Sequence, residues 1–78
     1  MRTKEEILDL LSDNEVARVA NVEANGALED GVEFVDLDHV DRGVQRVNAQ
    51  TRNQVHTIVP RSAVSDETWR RIEDALAA

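Results

Sequence analysis

Six consecutive residues, Asp36-Leu37-Asp38-His39-Val40-Asp41, form the densest set of metal- and proton-handling groups in the chain. Three carboxylates and an imidazole have the chemistry to hold a divalent cation. A calcium loop needs acids at alternate positions, then glycine and a distal glutamate. Val40 stands where the third ligand would be, so that pattern fails. In a helical turn Asp38 and Asp41 would share a face at i, i+3, with Asp36 left on a preceding strand. The segment therefore reads as a strand end and a helix cap with solvated acids. No metal and no other cofactor is expected.

Nucleophilic catalysis needs a base within hydrogen-bond reach of the nucleophile and a site for the developing oxyanion. His39 and His56 are the only side chains with a near-neutral intrinsic pKa. Ser12, Ser62 and Ser65 are the only serines, and Ser12 and Ser65 stand where helices should be capped. A Ser62–His56 pairing is left, without a Gly-x-Ser-x-Gly elbow to expose the serine. With three glycines in all, no phosphate-cradling loop is present either. The chain lacks cysteine, which removes thiolate catalysis, disulfides and Cys-ligated metals. The expectation is that this is not an enzyme.

The net charge of −7 opposes non-specific binding to nucleic acid or to anionic lipid. The charge is unevenly distributed. Residues 1–41 carry three basic groups against twelve acidic ones, a balance of −9, while residues 42–78 stand at +2. Arg42, Arg46, Arg52 and Arg61 lie in a stretch without any acid. The two halves are expected to neutralise each other across the folded surface. The rival reading is a basic patch for DNA over Arg42–Arg61. A helix-turn-helix over residues 4–24 would offer its groove-reading helix one arginine, Arg18, beside Glu15 and Glu23, which places carboxylates against phosphates. Met1-Arg2-Thr3-Lys4-Glu5-Glu6 turns acidic before any hydrophobic run, and no apolar stretch approaches the ~20 residues of a membrane span. A cytoplasmic setting without membrane attachment is expected.

Caps, periodicity and turn residues outline the elements that would position these groups. Thr3-Lys4-Glu5-Glu6 and Ser12-Asp13-Asn14-Glu15 are two capping boxes in close succession, so the N-terminal third reads as a helix pair with a tight junction. Asn25-Gly26 is a stop signal, and Glu29-Asp30-Gly31 is a turn. Residues 32–36 read as a short strand with neither face cleanly apolar. Asp38 is expected to cap one or two irregular helical turns running to Gln45, on the spacing of Val40, Val44 and Val47. Asn48 to Gln54 is largely polar and aperiodic, an exposed loop. Residues 55–59 form the best strand, ended by Pro60, which has no N–H for a ladder. Ser65 caps a last helix whose buried stripe is Trp69, Ile72 and Leu76, with Arg70 and Arg71 outside it and pairing with Glu67, Glu73 or Asp74.

The 78 residues are expected to form one small globular domain, 1–78. The fold expected is α+β and helix-dominated: an N-terminal helix pair, a short two-stranded sheet and a C-terminal helix, with a small all-α bundle as the alternative. The expected core is Ile7, Leu8, Leu11, Val16, Val19, Phe34, Ile58, Trp69, Ile72 and Leu76. The function expected is a non-enzymatic protein–protein interaction module. Its partner is another protein, with weak self-association as a further option and transcription-associated DNA binding as the alternative. Polar loops displayed on a rigid scaffold are preferred contact sites. The loop residues Arg46, Arg52, Asn53 and Gln54 are therefore the candidate partner-binding set, with an unpaired edge of the neighbouring strand as a further place to receive a peptide.

Overall fold

Thr3 and Ser12 both cap the helices that their sequences call for. In the computed structural model, which describes residues 3–20, 28–49, 51 and 57–77, the Thr3 hydroxyl accepts the Glu6 N–H at 3.3 Å and starts α1 (Lys4–Asp9). At α2 (Asp13–Ala20), Ser12 and Glu15 cap reciprocally: the Ser12 N–H donates to Glu15 Oε1 at 3.0 Å, and the Glu15 N–H to Ser12 Oγ at 3.3 Å. Neither helix is long enough to persist alone in water. Burial holds them, with Ile7 of α1 fully enclosed and Val19 of α2 nearly so. Val16, expected in the core, is instead exposed. The inward stripe of α2 runs through Glu15 and Val19, one turn apart, and Val16 lies about 100° from Glu15 around the axis. The expected stop at Asn25-Gly26 lies outside the described residues.

The sheet has three strands: β1 (Glu33–Asp36), β2 (Val44–Arg46) and β3 (Ile58–Pro60), in the order β2-β1-β3 and antiparallel throughout. Pairing of β1 with the strand near residue 58 agrees with expectation, in the register Phe34↔Pro60, Val35↔Val59 and Asp36↔Ile58. The strand ends at Pro60 as expected, with Pro60 itself its last paired residue. The third strand corrects the helical reading of residues 38–45. Only Val40–Arg42 winds, as a single 3-10 turn whose N-cap is His39, with no side-chain cap from Asp38. Gly43, at φ +68°, then redirects the chain into β2, a conformation that a side chain makes costly. Gly31, at φ +85°, serves the expected turn before β1, with its N–H bonded to the Val47 carbonyl.

β1 shows no clean alternation because it lies between β2 and β3 with both faces covered. Phe34 packs on one side with Val47 and Ile58, while Val35 and Val59 join the main core on the other. The main core contains Ile7, Leu11, Val19, Trp69 and Ile72 as expected, and also Leu37, Val40 and Val64. Leu8 and Leu76 are only partly buried against it. α3 (Asp66–Ala77) is capped by the Ser65 hydroxyl, which accepts the Thr68 N–H at 3.1 Å. Trp69 is buried and Ile72 fully enclosed, each apolar side chain of this size stabilising the fold by ~2–3 kcal/mol. The architecture is α+β: two N-terminal helices, an antiparallel sheet and a C-terminal helix.

Candidate functional site

Of the candidate partner-binding residues, Arg46 ends β2 opposite Glu33 and is exposed, while Arg52, Asn53 and Gln54 lie outside the described residues, as does His56. The start of their loop is more ordered than an aperiodic polar stretch suggests. The Asn48 N–H donates to Thr51 Oγ1 at 2.7 Å, and the Thr51 N–H donates to Asn48 Oδ1 at 3.0 Å. The Thr51 hydroxyl also reaches the Arg46 carbonyl at 3.3 Å. A peptide docking on β3 would find a poor edge. The Leu37 N–H bonds to the Thr57 carbonyl at 2.9 Å, so by antiparallel alternation Val59 turns its backbone to β1, and Ile58 and Pro60 turn theirs away. Pro60 brings no N–H to that outer row.

In the acidic cluster, Asp36 is buried, not solvated as expected, and it organises its own turn. Its Oδ1 accepts the Asp38 N–H at 2.9 Å, and its Oδ2 lies 3.1 Å from His39 Nδ1. Asp38 Oδ2 accepts the Thr57 N–H at 3.5 Å, linking this turn to the entrance of β3. Asp41 is exposed. Chemically this is a carboxylate that orients an imidazole, and among the described residues no three acidic, histidine or cysteine side chains converge as a metal-ligand set.

A second buried polar arrangement lies between the starts of α2 and α3. Glu15 is buried there, and its carboxylate accepts from both helix starts. Besides the Ser12 N–H, its Oε2 takes the Ser65 N–H at 2.7 Å and its Oε1 the Thr68 hydroxyl at 3.0 Å. The Ser12 N–H, opposed by the cost of burial and reinforced by the Ser65 N–H and the Thr68 and Ser12 hydroxyls, lowers the Glu15 pKa from 4.5 to about 2. Beside it opens a cleft of about 490 Å³ lined by Ser12, Arg18, Ser65, Thr68 and Arg71 among others. Arg18 Nη1 donates to the Ala63 carbonyl at 3.3 Å, and Arg71 pairs with Glu67. A carboxylate held ionised this firmly is no proton shuttle near neutral pH, where a general base needs a pKa close to the working pH. The capping box announced half of Glu15's role. The other half, the bond to a helix start fifty residues later, has no local sequence signal.

Among the described residues, the arginines of the second half that form ion pairs do so with near neighbours, Arg61 with Asp66 and Arg71 with Glu67. Glu5, Asp9, Asp13, Glu29 and Asp41 are exposed, and no ion pair among the described residues involves them. Sequence-near partners win because short loops and single helical turns bring them together at little entropic cost. Trp69 is buried, with the Arg61 guanidinium 5.8 Å from its ring centre, so no exposed Trp–Arg contact spot forms on α3. No helix among the described residues is long and apolar enough to cross a membrane. No family model matches this chain, and neither a curated protein nor a solved structure shows significant similarity to it.

Proposed function

We propose that this chain is a non-enzymatic, cytoplasmic protein–protein interaction module whose acidic N-terminal half meets a basic surface on another protein. The observation that carries the reading is the set of exposed carboxylates Glu5, Asp9, Asp13, Glu29 and Asp41, which have no ion-pair partner among the described residues. Charges left in solvent act over roughly 8–10 Å at ordinary ionic strength and speed encounter with an opposite patch. Arg46, with Arg52, Asn53 and Gln54 beyond it, is proposed as a second contact. The α2 helix supports the DNA-binding alternative poorly, since its one arginine, Arg18, is bonded to the Ala63 carbonyl and its Glu15 faces α3.

The test is affinity capture from cell extract with the wild-type chain and with an E5Q/D9N/D13N variant, read by mass spectrometry across a salt series. A protein partner retained at low salt, released at high salt and lost with the variant supports the reading. Capture of nothing above a control, or capture indifferent to the variant, overturns it. A parallel gel-shift titration with duplex DNA at low salt gives no shift on this reading. A shift that weakens steeply with salt transfers the case to nucleic acid.

A further inference from the structure

We draw no further inference here: the strongest candidate, the polar cleft between the starts of α2 and α3 beside Arg18 and Arg71, rests on two helix N-termini already filled by the chain's own Glu15 carboxylate, and nothing in the structure points to a ligand for it.

Discussion

Two buried carboxylates organise this molecule, one at the α2–α3 junction and one at the end of β1. Among the described residues, the Asp36 carboxylate accepts from the Asp38 N–H and meets His39, two and three residues away. Glu15 also begins locally, at Ser12, but then reaches Ser65 and Thr68 and so joins the N-terminal helix pair to the C-terminal helix. The chemistry is the same, a carboxylate accepting hydrogen bonds from an N–H and a side chain, and the reach is different. A local acceptor shapes a turn that neighbouring packing also supports. A long-range acceptor holds two elements in register and takes a partner from donors on both when it goes.

Removing the long-range carboxylate is therefore expected to have the largest effect. Glu15→Ala takes the acceptor from the Ser12 and Ser65 N–H groups and the Thr68 hydroxyl, and should cost about 3 kcal/mol, or ~10–20 °C in Tm. Thermal unfolding followed by circular dichroism measures it, and a shift below ~4 °C would show that the junction is held by apolar contacts alone.

Acid should remove nearly as much stability by another route. The folded-state pKa of Glu15 lies below its ordinary value, so its contribution is complete above pH 4.5 and is lost as the pH falls towards about 2. The stability difference between wild type and Glu15→Gln, from urea titrations, should shrink by about 3 kcal/mol across that window. A difference that stays constant with pH would mean that the ionised form of Glu15 is not what the junction favours.

The local carboxylate sharpens the contrast at an intermediate level. Asp36→Ala should cost about 1–2 kcal/mol, because the Asp38 N–H and His39 lose a partner while β1 keeps its ladder on both sides. If this variant proves less stable than Glu15→Ala, the ranking by reach is wrong. At the small end, replacing Arg46 and Arg52 together by serine should move Tm by no more than ~2 °C, since Arg46 is exposed and an exposed charge adds little to stability. The same variant should weaken capture of a protein partner. Unchanged capture would leave the acidic half as the sole proposed contact.

The features legible in the sequence are those whose partners lie within a turn. Thr3, Ser12 and Ser65 cap the helices they were expected to cap, because a cap is a bond to an N–H three residues on. The inward Trp69 and Ile72 follow from helical periodicity, and the strand preference of Phe34 and Ile58 from residue type. Only the tertiary structure decided the rest. β2 has three residues and a spacing that imitates a helix, and pairing with β1 makes it a strand. Burial of Asp36 and exposure of Val16 depend on what packs above them, and the same-face neighbours of α2 were set by Glu15 meeting a helix start fifty residues away. The candidate site was the least legible part, since Glu15 looked like an ordinary capping residue. Local hydrogen bonds and periodicity are properties of a short window of chain. Which face is buried, which strand pairs and which carboxylate joins two elements are settled by packing between segments that the sequence keeps far apart.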